Sequence, residues 1–269
     1  MQLGIDVGGS LTKVVLVDER DNQYFTFEPQ QDEGLDQLLE QYPNTPICAT
    51  GCGAPLLQAK YPDRVTITDE LVSFCTGSRY YAGQLAWKQP YILTSLGTGT
   101  SIFLVSDEGS HRVTGTAVGG GTITGLASLL LGTRDFAQVV EMARRGDRRR
   151  VDLMVSDLYP DAQDSPVLSS LTAANFGNTA IAAATPPDLA AAILQLVMET
   201  VSLLSIQAAK TCGTEHILIA GSPTKNPLIK DGLVGVGRQL GHDFTILDHG
   251  PYFGAMGAIL LCNQPQDRL

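Results

Sequence analysis

Three glycine-rich turns hold the residues best suited to chemistry. They are Asp6-Val7-Gly8-Gly9-Ser10, Gly97-Thr98-Gly99-Thr100-Ser101 and Gly119-Gly120-Gly121-Thr122, and each follows a run that reads as an apolar strand. Glycine tolerates positive φ and lets backbone N–H groups come close to an anion. The hydroxyls beside the glycines add donors. The third turn feeds a helical pattern, and a helix N-terminus favours phosphate oxygens. One such turn is an ordinary hairpin signal. Three of them, two flanked by hydroxyl residues, point to a phosphate-rich ligand. The sequence has no GxxxxGK[ST], so this is not a P-loop enzyme. It has no GxGxxG after the first strand and no GxSxG, which leaves a dinucleotide fold and the common serine hydrolases unsupported.

A few charged side chains stand near these turns. Asp6 ends the first strand, where a carboxylate holds Mg²⁺ through water beside phosphates or simply forms the turn. Lys13, three residues past Ser10, either neutralises a phosphate or is a solvated strand lysine. Glu70 follows a strand and falls in the first turn of a helix, within Thr68-Asp69-Glu70-Leu71. It is the carboxylate best placed for a catalytic role, although its spacing alone favours an acid that offsets the helix dipole with no further role. Asp69 is its local competitor. Arg112 opens a third strand and suits a bidentate grip on a carboxylate, or else is an edge-strand cation. The run from Arg144 to Arg150 is the only dense basic patch, and it reads as a solvated helix end.

The elements that must position these residues repeat. Strand, glycine turn, strand, polar turn and strand occur near residues 2–28 and again near 91–118. This suggests two related α/β domains, 1–90 and 91–269, with the last helix free to pack back on the first. Between them the pattern predicts helices over 36–41, 53–60 and 69–85, and strands over 47–50 and 65–68. Beyond residue 118 it predicts helices from Ile123 and from Asp135, and a loop over 161–178. The longest helix opens at Pro186-Pro187-Asp188. A strand over 216–220, the turn Gly221-Ser222-Pro223, a strand over 244–247, a small-residue helix over 253–262 and a frayed tail close the chain.

Composition narrows the function classes. The chain has 269 residues, a formal net charge of −10 and 43% hydrophobic residues. It is globular, and its acidity disfavours nucleic-acid binding. The apolar stretch from Leu189 to Ala209 carries Gln195, Glu199 and Gln207 and reads as a buried helix, so no membrane partner is expected. Five scattered cysteines without a CxxC pair read as reduced thiols of a cytoplasmic protein.

Taken together the motifs resemble a family. Asp6-Val7-Gly8-Gly9-Ser10-Leu11-Thr12-Lys13 resembles the phosphate hairpin of the acetate kinase/sugar kinase/Hsp70/actin superfamily. Ser95-Leu96-Gly97-Thr98-Gly99-Thr100-Ser101, Gly119 to Gly125, Arg145-Gly146-Asp147, Val151-Asp152-Leu153, Leu171 to Gly177 and Gly254 to Ala258 resemble the type II pantothenate kinases, in order along nearly the whole chain. The resemblance implies two actin-like (ribonuclease H-like) domains with ATP in the cleft between them, and dimerisation through the second. It implies transfer of phosphate from ATP to pantothenate, the first step towards coenzyme A. The matching positions make Glu70 the base and place ATP on Asp6, Val7, Gly8, Gly9, Ser10, Leu11, Thr12, Lys13, Thr98, Gly120, Gly121, Thr122, Ile123, Thr124, Phe136 and Ser222. Pantothenate falls on Ser101 and Arg112, and Mg²⁺ on Asp6, through water. Ser10 stands where Thr is commoner, and Phe136 where Tyr is found. The alternatives are a kinase of pantetheine or another small alcohol, and a nucleotide-binding module without catalysis.

Overall fold

Residues 2–28 fold as a meander: β1 (Gln2–Val7), β2 (Thr12–Val17) and β3 (Asn22–Phe27) pair antiparallel. The computed structural model describes residues 1–18, 21–28, 32–83, 85, 87, 90–159 and 168–264. After the meander come α1 (Asp32–Gln41), β4 (Ile47–Thr50), α2 (Ala54–Lys60), β5 (Val65–Ile67) and α3 (Glu70–Ala82). β4 pairs parallel with β1, and β5 parallel with β4. The sheet order is β3-β2-β1-β4-β5.

The same plan recurs. β6 (Tyr91–Leu96), β7 (Thr100–Ser106) and β8 (Gly109–Thr116) form a second antiparallel meander. Then follow α4 (Gly120–Leu131), α5 (Phe136–Ala143), β9 (Leu153–Met154), α6 (Val155–Leu158), β10 (Thr172–Ala174) and α7 (Pro186–Cys212). β11 (Ile217–Ala220), α8 (Pro227–Gln239), β12 (Phe244–Thr245) and α9 (Phe253–Cys262) complete the chain. β11 pairs parallel with β6 and β12 parallel with β11, giving the order β12-β11-β6-β7-β8. Each sheet therefore has a central strand flanked by an antiparallel meander on one side and parallel strands on the other. β4, β6 and β11 are buried along nearly their whole length, as parallel pairing covered by helices demands.

Three apolar clusters fill the layers. Leu3, Ile5, Val14, Leu16 and Ile47 pack against α1 and α2. Ile92, Ile102, Ile217 and Ile219 pack against α4, α5, α7 and α8. The middle cluster joins Val15 and Cys48 of the first sheet, Leu93, Phe103 and Leu218 of the second, and Phe253, Ala255 and Met256 of α9. The last helix thus returns to the first sheet and, with α3, lies between the two. α7 is long and apolar enough to cross a membrane by length and composition, but Ile193, Leu194, Val197 and Val201 are core residues of the second layer. Its start is fixed by Pro186 and Pro187 in the first turn and by a capping box of Thr185 with Asp188.

Several expected boundaries shift. β8 begins at Gly109, so Arg112 lies inside the strand and opposite Phe103, beside a bulge. α4 begins at Gly120, which puts Gly120 and Gly121 in its first turn, with Gly119 as its N-cap, instead of all three ahead of it. Part of the expected 161–178 loop is β10, paired with β9. Phe176, just after it, has φ +58, unusual for a bulky side chain. Its N–H donates to the fully buried Asp152 at 3.0 Å, which holds that turn. Residues 160–167, the tail from 265 and the 88–89 step at the expected domain junction lie outside the described residues.

Candidate active site

The two meanders bring their first turns face to face. Ser10 Oγ lies 3.1 Å from Thr98 Oγ1, an 88-residue separation closed by tertiary structure. Behind this contact opens a cleft of about 1300 Å³. Asp6, Gly8, Gly9, Ser10, Leu11, Lys13 and Glu70 line one wall. Thr98, Ser101, Arg112, Gly120, Gly121, Thr124, Phe136 and Ser222 line the other.

On the first wall, Gly8 N–H closes the hairpin on Leu11 O at 3.2 Å. Among the described residues no backbone acceptor takes the amides of Gly9 and Ser10. Asp6 and Lys13 stand opposite each other in the β1–β2 register, with Lys13 Nζ 3.6 Å from the Asp6 carboxylate. Burial pushes the Asp6 carboxyl above its ordinary value, and Lys13 opposes that shift. Two glycines make room for this carboxylate: a Cβ on Gly51 would stand 2.7 Å from it, and one on Gly254 3.0 Å.

Glu70 is the first residue of α3. Its side chain is exposed to the cleft, and partial desolvation raises its pKa, followed by the nearby charge of Asp6. Lys13 acts in the opposite direction. Asp69, the expected competitor, is the N-cap of α3 and accepts Val72 N–H at 2.9 Å. Its carboxylate is thereby committed to the helix start. Leu71 and Phe74 add an apolar wall beside Glu70.

The second wall is built by interlocked glycines. Gly120 N–H donates to Gly97 O at 2.8 Å, and Gly121 N–H to Thr98 O at 2.9 Å. These two amides, expected to face phosphate, are spent on the neighbouring turn. The glycines serve close approach: a Cβ on Gly119 would meet Gly99 and Thr98 at 2.8 Å. The Arg112 side chain crosses the face of Gly115, where an added Cβ would lie 2.2 Å from the guanidinium. Phe136 is held at the start of α5 by Asp135, which accepts the Ala137 and Gln138 amides. Ser222 begins a 3-10 turn after Gly221, whose φ is +129.

Four of the expected positions lie elsewhere. Val7 and Thr12 face each other in the β1–β2 ladder and are not on the cleft wall. Ile123 is core, 1% exposed. The Thr122 hydroxyl accepts Gly119 N–H and donates to Ala117 O, capping α4. The basic run also departs from a solvated helix end: Arg148 turns inward, donating to Thr172 Oγ1 at 2.6 Å and pairing with Asp152 at 3.4 Å. Sequence reasoning missed Phe74, Arg134, Gly115, Pro251 and Gly254 on the cleft wall. Phe74 was findable, four residues after Glu70 on one helix face. Pro251 arrives from the far end of the chain and gives no local signal, and Gly254, although part of the 254–258 motif, has nothing local that ties it to the cleft.

A family model described as Fumble matches residues 66–261. The chain is 35% identical over 264 residues to the type II pantothenate kinase of Oceanobacillus iheyensis, covering 96% of this chain and 98% of that one. It is 32% identical to that of Staphylococcus aureus, covering 97% and 99%. Among solved structures it is similar in fold to component A of the (R)-2-hydroxyglutaryl-CoA dehydratase of Acidaminococcus fermentans (TM-score 0.61, 16% identity, 97% and 96% coverage). A ROK family protein from Streptococcus pneumoniae has a TM-score of 0.55 at 11% identity, with 96% of each chain covered. These last two likenesses establish the fold alone, which is actin-like.

Proposed function

The chain belongs to the type II pantothenate kinase family, and from that premise we propose how its cleft performs ATP-dependent phosphorylation of pantothenate, the entry to coenzyme A biosynthesis. The observation that supports the reading best is one cleft that holds a general base, a phosphate hairpin and a cation suited to a carboxylate.

The nucleophile is a primary alcohol, weak until a base accepts its proton. Glu70 takes that proton as oxygen attacks the γ-phosphorus and ADP leaves; such assistance is typically worth about 10²–10⁴-fold. The commitment of Asp69 to the helix cap supports Glu70 over its neighbour. Lys13 and the amides of Gly9 and Ser10 offset charge on the transferring group. Phe136 and Ser222 flank the nucleoside end. Arg112 grips the pantothenate carboxylate, with Ser101 beside it, and this argues for pantothenate over pantetheine, which lacks that charge. Positive potential is thus local in a chain of net charge −10.

Mg²⁺ fits the residues present. The described residues contain no cluster of three or more metal-ligating side chains. Mg²⁺ seldom needs one, since it keeps waters and takes one or two carboxylates plus phosphate oxygens. Asp6 is the carboxylate that would hold it, through water. Bound there, the ion would neutralise charge on the phosphates. We divide the chain into units 1–90 and 91–269, with α9 returning to the first. We read it as a cytoplasmic homodimer formed through the second unit. Its five unpaired thiols suit a reducing compartment.

The test is ADP release with ATP, Mg²⁺ and pantothenate, on the natural protein and Glu70→Gln together. We expect turnover that falls by at least about 10²-fold in the variant while ATP still binds. Unchanged turnover in the variant would remove Glu70 from the mechanism. No turnover with pantothenate by the natural protein would overturn the substrate, and pantetheine would then be assayed.

A further inference from the structure

The 3-10 turn Ser222–Lys225 has one end in the cleft and the other on the opposite half of the molecule. Lys225 Nζ donates to Tyr252 Oη at 2.6 Å and to Thr26 Oγ1 at 3.1 Å, and those two hydroxyls are 3.0 Å apart. Thr26 lies on β3 of the first sheet. Tyr252 ends the 3-10 turn Gly250–Tyr252, where the chain crosses from the second sheet to α9. Tyr252 is 6% exposed, so its hydroxyl needs a partner. Behind it, Tyr24 of β3 stacks on His249 at 4.3 Å, and its hydroxyl lies 2.9 Å from that of Tyr81 on α3. Polar and aromatic contacts therefore converge on this crossover from both halves.

The turn that joins the clasp to the cleft is stiff. Thr224 Oγ1 donates to Gly221 O at 2.8 Å, Thr224 N–H donates to the same oxygen at 3.1 Å, and Asn226 N–H donates to Pro223 O at 3.1 Å. Pro223 fixes one φ. Gly221 is pinned against Leu96, whose carbonyl oxygen would stand 1.9 Å from an added Cβ. A segment of four residues tied this way moves as a unit, so a displacement at Ser222 arrives at Lys225.

We propose that Lys225 is a positioning residue that couples nucleotide seating at Ser222 to the orientation of the first sheet, through Tyr252 and Thr26. The inference rests on the nucleotide reading of the cleft. It assigns a role to three residues outside that cleft, which touch neither substrate nor the reacting atoms. In phosphoryl transfer the protein contributes positioning of the nucleotide as well as electrostatic stabilisation. A strut between the nucleoside site and the interdomain crossover acts on the seating of the nucleotide, and so on its affinity.

The experiment is a double-mutant cycle on the intact chain with Lys225→Met, Tyr252→Phe and the pair, plus Lys225→Arg and the exposed Thr26→Val. The readouts are affinity for a non-hydrolysable ATP analogue, KM for ATP, kcat and Tm. Lys225→Met and Tyr252→Phe should each weaken analogue binding and raise KM for ATP about fivefold or more, the scale of ordinary intersite coupling. The pair should be no worse than either alone, because both sever one path. Lys225→Arg should recover most of the loss, and kcat should move much less than KM. A distance between labels on the two halves should shift on analogue binding in the natural protein, and shift less in the variants. Natural-like affinity in Lys225→Met, or strictly additive losses in the pair, would overturn the clasp. If a variant fails to fold, Thr26→Val decides, and natural-like affinity there overturns the proposal. Failure of the natural protein to bind the analogue overturns clasp and nucleotide reading together. Binding without pantothenate turnover overturns only the substrate and leaves the cycle readable.

Discussion

Glu70 and Asp6 share one wall with the ammonium of Lys13, and both carboxyls are raised above their ordinary values. For Glu70 the first cause is desolvation by the cleft walls and the second is the charge of Asp6. A base must be ionised to work. The rate kcat/KM should therefore rise with pH along a limb set by Glu70, with a midpoint above the 4.5 of a free glutamate. Lys13→Met removes the charge that opposes the shift, so it should move the midpoint to still higher pH, besides slowing turnover. A pH profile of both proteins checks this, and a limb at or below the ordinary value would remove Glu70 as its source. The sign for stability follows by linkage. A carboxyl with a raised folded pKa binds more protons folded than unfolded, so stability falls as pH rises from the unfolded to the folded value. Asp188 works oppositely: the Asp147 N–H, followed by Thr185, holds it below the ordinary range. Its contribution is present above the unfolded value and is lost as pH falls through the folded one. At this scale Glu70 and Arg112 stood out in the sequence by residue type and position, and both line the cleft. Gly115, Gly51 and Gly254 were not, since what matters there is a missing Cβ beside a side chain from a distant part of the chain.

The elements are held in register by backbone contacts as much as by side chains. α3 and α9 cross through glycines: a Cβ on Gly257 would lie 1.7 Å from Ser73 O, and one on Gly77 1.9 Å from Phe253 O. Both obstacles are main-chain carbonyls that cannot rotate away. Gly257→Ala must separate the helix that starts with Glu70 from the helix that closes the molecule. We expect a loss of about 3 kcal/mol, the upper range for an overpacked core. That corresponds to a fall in Tm on the order of 5–10 °C, with activity reduced because α3 carries Glu70, the proposed base. Thermal unfolding checks it; an unchanged Tm would mean that the crossing has slack. Element types were legible from apolar periodicity and from turn residues, as with β1, β4, β11 and the proline-started α7. The ribbon of β9 and β10 was not, because strands of two and three residues carry too little periodicity to read. The same limit hid Phe176, whose left-handed backbone depends on the buried Asp152 of another segment.

On the scale of the whole molecule, α4 and α7 pack side by side and leave leucines uncovered, Leu129 at 82% and Leu203 at 54% exposure. Apolar surface of this kind on adjoining helices favours association. A homodimer through the second unit should sediment at twice the 28.6 kDa of the chain. Leu203→Glu should shift it to the single mass with little change in Tm; a natural protein that sediments as a monomer at all concentrations would refute the arrangement. The sequence by itself determined the two strand–turn–strand repeats, the glycine hairpin, the helix start that carries Glu70 and the family motifs, because these are local: a glycine turn or a helix start is written in a few adjacent residues. Tertiary structure alone decided which of them meet. It placed Ser10 against Thr98, spent the Gly120 and Gly121 amides on the neighbouring turn, and fixed Asp69 as a cap so that Glu70 alone of that pair faces the cleft. It also brought Tyr252 and Lys225 to Thr26. The physical reason is that hydrogen bonds and steric limits act through space, and their partners here lie tens to hundreds of residues apart in the chain.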